Sequence, residues 1–366
     1  MDLYASALLS IVGLVLLLVG AESLVRGASN LARLVGISPL IIGLTVVALG
    51  TSAPELAVSL QAVVSRQGEM ALGNAVGSNI VNVLLIIGLS AAITPLVVSQ
   101  QLIRLDVPIL IALSIFTWVL GSDGFLARGD GTLLVLIGVG YTGFLIVQSQ
   151  KESGPVQTMY RKKFAPVLEK KLKNWFFQPA LVVGGAILLV WGARWFVSGA
   201  SVIAKSLGMS ELVIGLTILA MGTSLPEIAT SVVASLRGER DIAVGNVVGS
   251  NIMNIVFVLG LCSIFSLSGI PVPPAALRFD LLVMIAVAVA CLPIFFTGYT
   301  ISRWEGFLFL GYYVAYVFYL FLNTTQHEGL PAFSWVMMVF VIPLTVVTLF
   351  VLTFRAIRDR QKSRHS

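Results

Sequence analysis

Two glutamates, Glu55 and Glu227, lie inside long apolar segments, each closing the same pattern: Gly50-Thr51-Ser52-Ala53-Pro54-Glu55 and Gly222-Thr223-Ser224-Leu225-Pro226-Glu227. A carboxylate in hydrocarbon is costly and typically marks a substrate or ion pathway. The hydroxyls of Thr51, Ser52, Thr223 and Ser224 stand beside these acids, and Thr51 and Glu55 are four residues apart, on one helical face. Pro54 has no N–H and clashes with the carbonyl of Gly50, as Pro226 does with that of Gly222, so each helix is expected to kink or open there. Carbonyls freed at membrane depth are tolerated only where they face protein or line a polar cavity, and there they can serve as ligands. A proline kink without function is the plainer reading, but a buried glutamate beside the proline in both copies argues against it.

A second pair of motifs follows: GNAVGSNIVN from Gly73 to Asn82, and GNVVGSNIMN from Gly245 to Asn254. Ser78 with Asn82, and Ser250 with Asn254, again share a helical face and offer neutral oxygens. For the flanking Asn74, Asn79, Asn246 and Asn251, hydrogen bonding between helices and ion ligation are both open. Gly73, Gly77, Gly245 and Gly249 have the GxxxG spacing of close helix packing. The combined donors are two carboxylates, hydroxyls, amide oxygens and freed carbonyls, with no histidine or cysteine among them. Such a set suits a hard cation; Ca²⁺ takes about 6–8 oxygens in flexible geometry, whereas zinc or copper would draw nitrogen or sulfur. Two carboxylates balance one divalent ion, and the same pair could hold two protons or two or three Na⁺ in turn. Competition for one set of oxygens is the simplest basis for exchange.

The elements that must position these groups are membrane helices. The chain has 366 residues, 57% hydrophobic and 11% charged, with a mean hydropathy of +0.98. Each bilayer crossing needs about 20 apolar residues, and eleven candidate spans are predicted, near 5–25, 39–64, 70–96, 103–121, 130–149, 176–198, 211–236, 241–267, 279–297, 303–322 and 332–354. The motifs repeat at an offset of 172 residues, gapless from Gly20/Gly192 to Leu89/Leu261, with about half the positions identical. Five spans per copy is an odd number, so the second copy enters the membrane from the opposite side, as an inverted repeat. The predicted fold is therefore an all-α polytopic membrane protein: a first five-helix repeat over 1–149, a basic linker over 150–175, an inverted second repeat over 176–322, and an extra helix with a basic tail over 323–366.

The first apolar run lacks the basic start of a signal peptide and is read as a retained helix. Cys262 and Cys291 fall within spans and suggest no disulfide framework. The net charge of +6 does not point to nucleic acid, because eighteen basic residues collect in the loops of one side against four on the other. Basic loops mark the cytoplasmic side, which places the N-terminus outside and the linker and C-terminus in the cytoplasm.

At these motifs the chain resembles the cation/calcium exchanger superfamily, and in particular the prokaryotic sodium/calcium exchangers, over ten of its eleven spans. The resemblance implies a ten-helix core with ion sites between the second, third, seventh and eighth spans, and alternating access by sliding of the first and sixth. It implies that Glu55 and Glu227 are ligands shared by Ca²⁺ and Na⁺, supported by Thr51, Ser52, Ser78, Thr223, Ser224 and Ser250, with Ala48 and Ala220 giving backbone carbonyls. One departure stands out: many sodium/calcium exchangers have Asp at the position of Asn254, and here both Asn82 and Asn254 are amides. Three Na⁺ would exceed the charge of two glutamates, so electroneutral exchange with two Na⁺ or two H⁺ becomes accessible.

The reading that follows is a secondary active antiporter exporting cytoplasmic Ca²⁺ for Na⁺, with H⁺/Ca²⁺ exchange through the same glutamates as its alternative. A channel would call for a symmetric ring or carbonyl filter, and an intramembrane enzyme for a Ser–His base pair or metal-binding histidines that are lacking near the acids. The expected partners are inorganic cations and the lipid bilayer, with no nucleic acid, protein partner or cofactor, in a plasma (inner) membrane.

Overall fold

The computed structural model describes residues 3–35, 37–148, 177–207 and 221–365. The linker expected at 150–175, the first half of the span expected at 211–236, and Ala220 lie outside the described residues. The architecture is helical. α1 is Leu3–Val35; α2 (Pro39–Thr51) and α3 (Ala53–Val64) are two halves of one span bent by 42° at a single intervening residue. Then come α4 (Gly68–Ile93), α5 (Leu102–Asp123), α6 (Arg128–Gln148) and α7 (Phe177–Ser206). The short apolar α8 (Leu225–Leu236) precedes α9 (Arg240–Phe265), α10 (Ala276–Phe296), α11 (Arg303–Thr324) and α12 (Leu330–Leu352). Among the described residues, nine helices are long and apolar enough to cross a membrane, or ten with the bent pair taken as one span.

Burial grades these helices from the centre outward. α4 and α9 form the heart of the bundle, with 72% and 83% of their central windows inside the protein. α12 has only 6% inside and leaves Trp335, Phe340, Phe350 and other apolar side chains outward, as a helix facing lipid does. It is tied on through Thr345, whose hydroxyl accepts from Tyr312 of α11 at 2.6 Å.

Correspondences between the two halves run through the packing, at the 172-residue offset in α4 and α9 and a few residues from it in the helices that follow. Both α4 and α9 widen into a π-helical turn at the last asparagine of the motif, over Asn82–Ile87 and Asn254–Leu259. α5 and α10 each carry a π-helical turn ending in an aspartate, Asp106 and Asp280, which accepts from a tyrosine on the next helix: Tyr141 at 2.9 Å and Tyr316 at 3.2 Å. Two small antiparallel ribbons, absent from the all-α expectation, join the halves: β1 (Leu96–Val97) pairs with β4 (Thr300–Ile301), and β2 (Phe125–Leu126) with β3 (Ile270–Pro271). Each ribbon satisfies backbone groups left over where the chain turns between helices.

α1 and α7 run antiparallel along a seam of small residues spaced seven apart. Gly13 meets Gly192, Gly20 meets Gly185, Gly27 meets Gln178, and Gly199 meets Ser6. A Cβ on Gly192 would stand 2.7 Å from the backbone nitrogen of Leu17, and one on Gly185 2.7 Å from that of Leu24. The two helices therefore touch backbone to backbone, as small residues permit in membranes. At one end, α1 is joined to the turn between α8 and α9: Arg33 pairs with Glu239 at 2.8 Å, Glu239 accepts from Ser29 at 2.6 Å, and Arg237 pairs with Glu22.

Candidate functional site

The sequence places Pro54 and Pro226 inside helices, but the chain solves the problem differently. The first helix ends early, at Ser52 (φ −80°, ψ 3°), Ser224 has the same backbone conformation (φ −85°, ψ 2°), and α3 and α8 each begin with proline in the first turn. A missing N–H costs nothing at that position, and the fixed φ of proline suits it. Glu55 and Glu227 thereby fall in the first turn of their half-helices, where the positive end of the helix dipole favours negative charge. Both carboxylates are fully buried, at 0% exposure.

The two break regions face each other, and each serves the glutamate of the other. Ser52 donates to Glu227 Oε1 at 3.2 Å, and Ser224 donates to Glu55 Oε1 at 3.4 Å. The Ser224 and Ser78 hydroxyls lie 3.2 Å apart, and Thr51 lies 3.4 Å from Ser250 Oγ. Thr51 donates to Asn246 Oδ1 and Thr223 to Asn74 Oδ1, each at 3.1 Å. Asn74 and Asn246 donate in turn to Ser59 and Ser231, at 2.9 and 3.0 Å. The serine–glutamate, threonine–asparagine and asparagine–serine bonds each have a counterpart 172 residues away; the Ser224–Ser78 and Thr51–Ser250 contacts do not. Ser52, Ser78, Asn82, Ser224, Ser250 and Asn254 are all buried with the glutamates, and Thr223 is half-buried.

Four oxygens in this cluster lack a hydrogen-bond donor: Glu55 Oε2, Glu227 Oε2, Asn82 Oδ1 and Asn254 Oδ1. A buried acceptor without a partner is expensive, and a carboxylate more so. These four form two pairs across the halves, all are acceptors, and a cation is the species that would satisfy them. Among the described residues, no group of three or more His, Cys, Asp or Glu side chains could hold a metal, so such a cation would meet two acids and neutral oxygens. The donor chemistry is that of a hard ion.

The expected backbone donors fare less evenly. The carbonyl of Ala48 accepts from Ser52 N at 2.9 Å, with Thr51 Oγ1 3.3 Å away, so it is not freed by the break in this conformation. Because the helix ends at Ser52 rather than at the proline, the last ordinary helical bond reaches back to Ala48. The carbonyl of Gly50 is the one that loses its partner to Pro54, which has no N–H. Gly222 lies in the turn before Ser224.

The sequence motifs disclose only half of the network around the ligands. Asn74 and Asn246 bond between helices and reach Thr223 and Thr51, which sequence spacing alone does not disclose. The buried Asp106 and the half-buried Asp280 belong to no motif, although each half has an aspartate followed by a tyrosine in the next span, a signal present in the sequence.

The sodium/calcium exchanger protein family matches this chain over residues 5–147 and 177–322. The inner membrane protein YrbG of Escherichia coli is 39% identical over 289 residues, which cover 78% of this chain and 87% of that protein. The sodium/calcium exchanger MaX1 of Methanosarcina acetivorans is 34% identical over 302 residues, covering 74% and 85% respectively. The solved sodium/calcium exchanger from Methanococcus jannaschii has a similar fold, with a TM-score of 0.72 at 32% identity over 86% of this chain and 98% of that one.

Proposed function

The chain belongs to the sodium/calcium exchanger family, and from that premise we propose that it exports cytoplasmic Ca²⁺ in exchange for Na⁺ at one site between α2–α3, α4, α8 and α9. The family makes it a multi-pass membrane antiporter of cations. The observation that carries the finer reading is the set of four buried, unpartnered oxygens on Glu55, Glu227, Asn82 and Asn254. Thr51, Ser52, Ser78, Thr223, Ser224 and Ser250 line the same space and supply hydroxyl oxygens, while Ala48 and Ala220 would contribute carbonyls only after local rearrangement.

In this reading the two glutamates balance one Ca²⁺, or release it when Na⁺ takes their oxygens. The loaded protein then changes access by movement of α1 and α7 against the remaining helices. The two halves, 1–149 and 176–322, act as inverted repeats, and the basic loops support a cytoplasmic linker and C-terminus in a plasma (inner) membrane.

The two neutral amides favour a second reading, H⁺/Ca²⁺ exchange. With no third acid, two protons on Glu55 and Glu227 are the chemical equivalent of a divalent ion. Proteoliposomes loaded with Na⁺ and diluted into Na⁺-free buffer at matched pH separate the two. Uptake of ⁴⁵Ca²⁺ that needs the Na⁺ gradient and survives a protonophore is expected. Uptake that ignores Na⁺ and follows an imposed pH gradient would replace sodium with protons, and no uptake under either gradient would sink both.

A further inference from the structure

Asn82 and Asn254 each have a free amide oxygen, and a primary amide can present either end. What fixes the oxygen inward is a second pair of asparagines. Asn254 Nδ2 donates to Asn79 Oδ1 at 3.1 Å, and Asn82 Nδ2 donates to Asn251 Oδ1 at 2.9 Å. Asn79 is itself held: its Nδ2 donates to the backbone carbonyl of Asn251 at 3.2 Å, and also approaches Met284 Sδ at 3.5 Å. Reciprocally, Asn251 Nδ2 donates to the carbonyl of Asn79 at 3.3 Å. All four side chains are buried.

The orientation follows by elimination. A backbone carbonyl is only an acceptor, so Asn79 must turn its NH₂ toward it. That leaves the oxygen of Asn79 facing Asn254, which must answer with its own NH₂. The oxygen of Asn254 is then the end left over, and it has no partner within the protein. The same chain of reasoning runs from the carbonyl of Asn79 through Asn251 to Asn82. Flipping any one amide would set two acceptors or two donors against each other where water cannot intervene.

We propose that Asn79 and Asn251 are positioning residues for cation binding, each holding the site asparagine of the opposite half so that its carbonyl oxygen faces the ion. This rests on the reading of Asn82 and Asn254 as ion ligands. It also defines what positions 82 and 254 must be. Each has to present a donor to the clasp, so a carboxylate at 254 would confront the oxygen of Asn79 unless that amide turned away from its backbone anchor. The clasp thus favours a site with two formal negative charges.

The test is a double-mutant cycle on the purified full-length protein, read as the Kd for Ca²⁺ in Na⁺-free buffer and as KM and maximal rate of Ca²⁺ transport in proteoliposomes. Asn79→Ala is expected to weaken Ca²⁺ binding by roughly 3- to 10-fold, the scale of one hydrogen bond, and to raise KM while the maximal rate holds. In an Asn254→Ala background the same change should add nothing, because the oxygen it orients is gone. Asn254→Ala with unchanged affinity would overturn the ligand reading itself. Weakening by Asn254→Ala but not by Asn79→Ala, or equal weakening by Asn79→Ala in both backgrounds, would overturn the clasp alone. Should Asn79→Ala fail to fold, the matching cycle of Asn251→Ala with Asn82→Ala decides by the same criteria.

Discussion

Glu55→Gln and Glu227→Gln should damage Ca²⁺ handling severely and to the same degree. Glutamine keeps the shape of glutamate, and the Ser224 and Ser52 hydroxyls that now donate to Oε1 can rotate to accept from an amide instead. What disappears is one of two charges, both at 0% exposure. Two unit charges about 4 Å apart attract by about 4 kcal/mol at an effective dielectric of about 20, so a carboxylate and Ca²⁺ at that distance gain roughly twice as much. Relief of repulsion between the two acids in the ion-free state offsets part of this. If two thirds were cancelled, about 2.7 kcal/mol would remain, or about 100-fold in affinity. The paired geometry gives neither glutamate an advantage, so the two variants should agree within about threefold, the usual context spread of such contributions. Equilibrium ⁴⁵Ca²⁺ binding on detergent-purified protein, with size-exclusion profiles to establish folding, measures this directly. Wild-type affinity in either variant would refute the shared site. A large loss in one and a small loss in the other would refute the equivalence of the halves.

Three further outcomes follow from the packing. Asn254→Asp should change the Na⁺ dependence of transport, measured as the reversal potential under opposed Na⁺ and Ca²⁺ gradients, more than it lowers expression; an unaltered dependence would mean that this side chain does not face the ions. Charge reversal at Arg33 or Glu239, partners at 2.8 Å and partly exposed, should alter exchange rate by roughly twofold and more at low salt, and the double reversal should restore it; failure of the double variant to recover would remove the pair from the transport cycle. Gly192→Leu should separate α1 from α7, since even a Cβ there would lie 2.7 Å from Leu17 N; overpacking of this kind costs about 1–3 kcal/mol or more, to be read as a lowered melting temperature or lost transport, and a variant with normal stability and rate would show that the seam can open.

Much of this molecule is written in its sequence because two kinds of signal are local. Apolar length announces the helices, and the repeated Gly-Thr-Ser-x-Pro-Glu announces the break and the acid beside it. The break was expected at the proline and falls at Ser52 instead, because proline is a poor interior residue but a good first-turn residue, and spacing alone does not say which role it takes. Long-range facts were out of reach. That Ser52 serves Glu227 rather than Glu55 depends on how the halves interlock, and the direction of each asparagine amide depends on a backbone carbonyl in the other half. The ribbons that join β1 to β4 and β2 to β3 are two residues per strand, too short for any alternation to register.

The seam between α1 and α7 bears on efficiency as well as on packing. A contact made by backbone atoms has no side-chain rotamers through which one helix could shift while its neighbour stayed put. Gly13, Gly20 and Gly27 are locked against Gly192, Gly185 and Gln178 along most of the length of both helices. The pair is stiff, and if it carries the access change, whatever opens the site on one face must close it on the other in the same stroke. Stiffness would then replace signalling between gates: an intermediate open to both sides would require the seam itself to part. A protein built this way wastes little of an ion gradient as leak, and the glycines, which touch no ion, would set the ceiling on how tightly its two fluxes are coupled.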